Sequence, residues 1–140
     1  MTPFNLHVLT AVKPFFDGQC VSLVVPTPSG MYGIMARHSN FVGSVVTGEM
    51  KITLEDGQVI VAAVADGIVK VEEGDVLVLV DTAERPEEID ENRAKAAYEK
   101  AMEDSARERG VREYYAAQAR LARAMNRLKV KRADRYRRHE

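Results

Sequence analysis

The chain has 140 residues, 46% of them hydrophobic, with no Trp and a single cysteine, Cys20; that length fits one large domain or one domain plus an appendage. No apolar run approaches the roughly 20 residues of a membrane helix, the first 25 residues lack the pattern of a secretory signal, and no Cys/His set has metal-ligand spacing. The net charge of −1 conceals a gradient: residues 1–86 carry 5 Lys/Arg against 10 Asp/Glu, residues 87–119 carry 6 against 9, and residues 120–140 carry 9 against 2. A basic end on an acidic body points to an electrostatic partner for that end, among nucleic acid, anionic lipid and an acidic protein surface; a solvated terminus is the plain alternative. Cys20, which has no cysteine to pair with, reads as a small buried strand residue rather than a reactive thiol, in a reducing compartment.

Strand signals come first and at short intervals. Phe4, Leu6 and Val8 alternate with Asn5, His7 and Leu9, and Val21, Leu23 and Val25 alternate with Cys20, Ser22 and Val24. Met50, Ile52 and Leu54 against Lys51, Thr53 and Glu55 give the cleanest in/out pattern. Gln58–Ala65 and Asp75–Val80 are nearly continuous apolar runs, as expected of strands buried on both faces. Asp17-Gly18, Ser29-Gly30, Thr47-Gly48, Asp56-Gly57, Asp66-Gly67 and Glu73-Gly74 read as turns between them. Strands at this spacing without helices predict an antiparallel sandwich or barrel over residues 1–85. The loop Pro26–Gly33 places Met31 and Tyr32 near its tip, either as an exposed contact patch or folded back on the sheet edge.

The period changes at Pro86, whose fixed φ suits a first helical turn, with Glu87, Glu88 and Asp90 at the positive end of the helix dipole. Helices are expected over about 87–106 and 111–134, separated by Glu108-Arg109-Gly110-Val111, where Gly110 is the expected cap of the first. In the first, Ala94, Ala97, Tyr98, Ala101, Met102 and Ser105 share a face; in the second, Tyr114, Ala117, Leu121, Met125 and Leu128 form a narrow stripe. So short a link makes either an antiparallel hairpin or one extended rod. Neither stripe is wide enough to fold alone.

No catalytic constellation is visible. His7, His38 and His139 are far apart in sequence, and no phosphate-binding glycine motif is present. His38 reads as a hydrogen-bonded loop residue. Three stretches nevertheless form an ordered set. They are Phe16-Asp17-Gly18 through Val25-Pro26 with Gly30, Gly33-Ile34 and His38; Val76–Glu84; and Ile89-Asp90-x-x-Arg93-Ala94 with Arg123–Leu128. On this order and spacing the chain resembles, over essentially its whole length, the epsilon subunit of F-type ATP synthases.

The resemblance implies a ten-stranded antiparallel β-sandwich over residues 1–85, followed by a two-helix hairpin over 86–140 that serves as a mobile regulatory arm. It implies a non-catalytic rotor subunit that needs no cofactor or metal. Its partners are the gamma subunit, the ring of c subunits and the catalytic alpha and beta subunits; nucleic acid is not among them. The complex lies on the cytoplasmic face of the bacterial plasma membrane, the plastid thylakoid being the other setting. The family couples proton flow to ATP synthesis and inhibits ATP hydrolysis through its helices, and in some bacterial members ATP is a regulatory ligand of the compact hairpin. Matched residue by residue, the ATP-binding positions are Glu84, Ile89, Asp90, Arg93, Ala94, Arg123 and Arg127. Lys100 stands where the family has another Arg, a point charge in place of a planar fork. Met31, Tyr32 and His38 match the contact with the membrane ring. Arg120, Arg123, Arg127, Lys129, Lys131 and Arg132 are the cations an extended arm would present to acidic loops of the catalytic subunits. Three departures stand out: Met35-Ala36 where the family reads Leu-Pro, Asn40 where a Pro is common, and Asp66-Gly67-Ile68 where a Gly-Gly-Phe turn is common. The rival readings are a free ATP-sensing module, a nucleic-acid adaptor using the basic tail, and an enzyme.

Overall fold

The computed structural model describes residues 1–107 and 110–138. Glu108, Arg109 and His139, named above, lie outside the described residues. The backbone divides into two compact units, Met1–Arg85 and Pro86–Glu140.

The first unit has ten strands: β1 Phe4–Thr10, β2 Pro14–Cys20, β3 Ser22–Thr27, β4 Gly30–Ile34, β5 Phe41–Val45, β6 Gly48–Thr53, β7 Val59–Val64, β8 Gly67–Glu72, β9 Asp75–Val80 and β10 Ala83–Glu84. They form two five-stranded sheets, ordered β2-β1-β9-β8-β5 and β10-β7-β6-β3-β4. Leu6, Val8, Val69, Val71, Val76 and Val78 face inward from one sheet, and Leu23, Val25, Ile34, Met50, Ile52 and Ala62 from the other; all are buried in one core. The period-2 alternation of the strands makes this possible: every second side chain meets the opposite sheet and its neighbours meet solvent.

Three details depart from the sequence reading. The β1–β9 pair is parallel, with Leu6 beside Val76 and Val8 beside Val78; every other pairing is antiparallel. Asp17-Gly18 is no turn: both residues lie within β2, opposite His7 and Leu6. Asp75–Val80 alternates after all, with Val76, Val78 and Val80 buried and Leu79 exposed, so only β7, where Val61, Ala62, Ala63 and Val64 are all buried, has both faces covered. The turn Glu73-Gly74 has positive φ at both residues, 50° and 85°, which matches the twist of the β8–β9 hairpin.

The second unit opens with a 3-10 turn over Pro86–Glu88 rather than with α-helix. Helix α1 runs Glu91–Ala106 and α2 runs Val111–Arg138. The later start of α1 has a local cause. Asp90 adopts an extended backbone and its carboxylate accepts from the Arg93 amide at 3.1 Å, so Asp90 is the N-cap and the helix begins after it. At the other end Arg107, not Gly110, closes α1, donating its N–H to the Asp104 carbonyl. The two helices pack as an antiparallel hairpin: Glu91 at the start of α1 meets Arg132 and Arg135 late in α2, and Asp104 near the end of α1 meets Arg120.

The buried seam is narrower and smaller-sided than the sequence stripe. Ala94 and Ala101 on α1 and Ala117, Ala124 and Leu128 on α2 are buried. Tyr114 and Met125, expected in the stripe, are 45% and 52% exposed. Small residues win the seam because they let two helix backbones approach closely. Val130, missed by the stripe, is fully buried on another face of α2.

Candidate functional site

Two groups of predicted residues can be located, one on the sandwich and one on the hairpin. On the sandwich, Tyr32 and His38 belong to one cluster. The His38 Nδ1 lies 2.7 Å from the Ser39 carbonyl, and its Nε2 lies 2.7 Å from the Tyr32 hydroxyl. A carbonyl only accepts, so Nδ1 carries the proton and, in the neutral ring, Nε2 accepts from Tyr32. Phe41 completes the cluster: its ring stacks on Tyr32 with centroids 4.8 Å apart and lies 5.9 Å from His38, edge to face. The Phe41 ring occupies space that a side chain at position 43 would need, since a Cβ on Gly43 would sit 2.6 Å from its Cζ. Gly43 therefore permits the Phe41 pose, Phe41 backs Tyr32, and Tyr32 fixes His38. Phe41 was not nominated from sequence, and no pattern marks it.

Tyr32 is accordingly half-buried on the sheet edge, while Met31 beside it is 58% exposed. The Met31/Tyr32 pair thus splits, one residue facing solvent and one folded back. Between them and His38, Met35 is exposed and Arg37 holds a positive φ of 65°, a costly conformation for a residue with a Cβ. The substituted position Asn40 has a task of its own. Its carbonyl oxygen accepts from the Glu73 amide at 3.0 Å, and its amide donates to the Glu73 carboxylate at 3.4 Å, tying this loop to the β8–β9 turn.

On the hairpin, Ile89 is buried, Asp90 caps α1, and Ala94 lies in the seam. Arg93 and Lys100 are exposed on α1, and Arg123 and Arg127 are half-buried on α2. Measured at 100° per residue from the Ala94/Ala101 seam, Arg93, Ala97 and Lys100 lie about 60–120° to one rotational side. Measured from Ala117/Ala124, Arg120, Arg123 and Arg127 lie about 40–120° to the same rotational side. In an antiparallel pair, equal rotational offsets fall on one flank, and the Arg120–Asp104 contact at 3.9 Å lies on it. The hairpin therefore brings Arg93 and Lys100 to the same flank as Arg120, Arg123 and Arg127. Glu84 belongs to the other unit, at the end of β10.

The remaining arm cations do not share that flank. Lys131 donates from Nζ to the Pro86 carbonyl at 2.9 Å, Arg132 Nε lies 3.3 Å from one Glu91 oxygen, and Arg135 contacts the other. Lys129 is exposed. Glu91 and Arg135 were not nominated from sequence, although the acidic start of one helix and the basic end of the other carry the signal once an antiparallel hairpin is assumed. Cys20 is fully buried, and desolvation raises its thiol to about 11, partly offset by a hydrogen bond from the Ser22 backbone.

Comparison with known proteins covers both units. Residues 3–86 match the family described as ATP synthase, Delta/Epsilon chain, beta-sandwich domain, and residues 87–132 match its long alpha-helix domain. The chain is 40% identical over 128 residues to the ATP synthase epsilon chain of Ruminiclostridium cellulolyticum, covering 91% of this chain and 95% of that one. It is 41% identical over 131 residues to the ATP synthase epsilon chain of Ruminococcus albus, covering 93% and 97%. A chain of the Euglena gracilis mitochondrial ATP synthase superposes with a TM-score of 0.75 at 20% identity, covering 86% of this chain and 76% of that one, a likeness of fold. With both domains matched in order and two relatives matched nearly end to end, the chain belongs to the ATP synthase epsilon chain family.

Proposed function

We propose that this chain is a non-catalytic rotor subunit of a bacterial F-type ATP synthase, with the sandwich as its foot and the hairpin as a regulatory arm. The foot joins the gamma subunit and the ring of c subunits and so helps to couple proton flow to ATP synthesis. The arm inhibits ATP hydrolysis when it extends toward the alpha and beta subunits. The complex holds the chain peripherally at the cytoplasmic face of the plasma membrane. On the foot, the exposed Met31 and the Tyr32–His38 pair are the contact with the membrane ring, and the exposed apolar row Val42, Ile68 and Leu79 on one sheet face suits a protein partner.

The observation that carries the reading is the division of charge across the hairpin. An acidic α1 start and a basic α2 end meet through ion pairs that opening would release. Released, the α2 cations are drawn to an acidic protein surface, and salt weakens that attraction. The decisive experiment removes residues 111–140 from the chain in the assembled enzyme and measures ATP hydrolysis. A rise is expected; an unchanged rate would refute the inhibitory arm.

ATP is the ligand that favours the closed arm in this reading, supported by the shared flank of Arg93, Lys100, Arg123 and Arg127. Several cations converging on a triphosphate make charge-assisted hydrogen bonds available only while the helices are paired, and Ala97 between them leaves room for a flat base. Calorimetric titration of the full chain with ATP, beside Arg93→Ala and Arg123→Ala, tests this. Saturable binding weakened by both substitutions is expected, and no binding at millimolar ATP would refute it.

A further inference from the structure

The Lys131, Arg132 and Arg135 end of α2 is an interaction surface occupied by the chain's own acid. We propose that Glu91 is an internal competitor: it holds the two arginines in the closed hairpin as an acidic partner segment holds them in the open one. This rests on the reading of the hairpin as an arm that opens, and names what closes it.

One carboxylate uses both oxygens, Oε1 toward Arg132 Nε at 3.3 Å and Oε2 toward Arg135 Nη2. The side chain of Glu91 is 29% exposed, against 59% and 53% for the two arginines, so the acid is the more enclosed member. Arg132 and Arg135 are three apart and stand over one another on the helix, a spacing that presents two guanidinium groups to one carboxylate or to successive acids of a partner. Lys131, the next cation, is engaged on the Pro86 carbonyl, at the very start of the unit. All three contacts therefore tie the far end of α2 to the six residues that begin the hairpin, where a clasp has its greatest leverage. At the tip end, by contrast, only the 3.9 Å Arg120–Asp104 pair and the Gln118–Ser105 hydrogen bond join the helices among the described residues. The partner that fits is an acidic peptide or protein segment. It must displace Glu91 to bind, so closure and partner binding exclude one another.

The test uses the full chain with spin labels at Glu99→Cys and Ala122→Cys, both exposed sites on facing helices; Cys20 is fully buried and is not labelled in the folded state. Pulsed spin-label distances report the open and closed populations, and a short polyglutamate peptide serves as the acidic probe. Glu91→Gln is expected to raise the open-to-closed ratio about three- to tenfold, the range of two modest ion pairs. Arg132→Gln with Arg135→Gln should do the same, and combining all three should add little more. Polyglutamate should open the natural chain and act at lower concentration on Glu91→Gln. Glu88→Gln, which removes an acid from the same helix start, should leave the populations alone. The proposal is overturned if Glu91→Gln does not open the hairpin, if Glu88→Gln opens it equally, or if the acid and arginine variants add in full. It is also overturned if polyglutamate leaves the natural chain closed. Failure of the arm reading looks different: Glu91→Gln opens the hairpin, yet hydrolysis by the assembled enzyme does not fall.

Discussion

Gly67 opens β8 opposite Val80, and a Cβ there would lie 1.9 Å from the Leu79 carbonyl oxygen and 2.7 Å from the Val80 Cα. An ordinary carbon–oxygen approach between strands is about 3.3 Å, so Gly67→Ala must open the β8–β9 ladder locally by about 1.4 Å. Both obstructing atoms are backbone, and β9 is the middle strand of its sheet, held by β1 on its other edge. Neither can swing aside as a side chain would. Overpacking of this kind costs about 1–3 kcal/mol, and one or two weakened ladder hydrogen bonds add about 1 kcal/mol each. Gly67→Ala should therefore lose about 3 kcal/mol, lowering the midpoint of sandwich unfolding by about 12–24 °C for a domain of this size. Gly57→Ala is the control. Gly57 has φ of 91° with nothing within 4 Å of its Cβ position, so only the left-handed backbone is penalised, at about 1 kcal/mol. Far-UV circular dichroism during thermal and urea unfolding measures both. A loss below 1 kcal/mol for Gly67→Ala, or a larger loss for Gly57→Ala, would refute the close-approach argument.

Two further outcomes are expected. Asp90→Ala removes the carboxylate that accepts from the Arg93 amide and should cost about 1 kcal/mol of hairpin stability. Hydrogen exchange should quicken at the amides of 91–106 and stay unchanged in the strands. Cys20, buried with its thiol raised to about 11, ionises near 8.5 once unfolded. The folded state keeps the proton that the unfolded state gives up, so this contribution to stability is complete below pH 8.5 and falls as pH rises toward 11. The stability advantage of the natural chain over Cys20→Ala should therefore shrink between pH 7 and pH 10 in urea titrations, and a constant difference would contradict the burial argument.

The sandwich was readable because its strands alternate: Met50 and Ile52 stand on the apolar side of the cleanest in/out pattern and are fully buried, as are Leu6 and Leu23 of the other alternating sets. The parallel β1–β9 pair was not readable, since alternation fixes which face a residue takes but not which strand lies beside it. Asp17-Gly18 misled because a turn dipeptide carries no record of the ladder that absorbs it. On the hairpin, Ala117 and Leu128 of the expected stripe are buried, but its large members Tyr114 and Met125 are exposed, for a related reason. Bulk ranks a residue as a core candidate, yet a close helix pair selects small ones, Ala124 as well as Ala117. Asn40 shows the opposite case. It stood out only as a departure from a family pattern, and its two bonds to Glu73 are visible only in three dimensions.

The two units differ in what holds them. The sandwich core joins eighteen buried residues, most of them Leu, Ile, Val or Met. The α1–α2 seam offers Ala94, Ala101, Ala117, Ala124 and Leu128, and at about 0.8 kcal/mol per buried CH₂ such a seam gains little beyond the ordering cost of its helices. Ion pairs that remain partly exposed then add tenths of a kcal/mol to about 1 kcal/mol each. If the hairpin opens as proposed above, one assembled this way sits near balance between closed and open. There, a ligand bound only to the closed form and present at ten times its dissociation constant adds RT ln 11, about 1.4 kcal/mol, and shifts the ratio about tenfold. The same shift applied to the sandwich would raise its unfolding midpoint by several degrees and leave it folded as before. For the regulatory arm proposed above, an Ala seam with Glu91 as its clasp fits that balance, whereas a Leu seam of equal length would hold the hairpin closed.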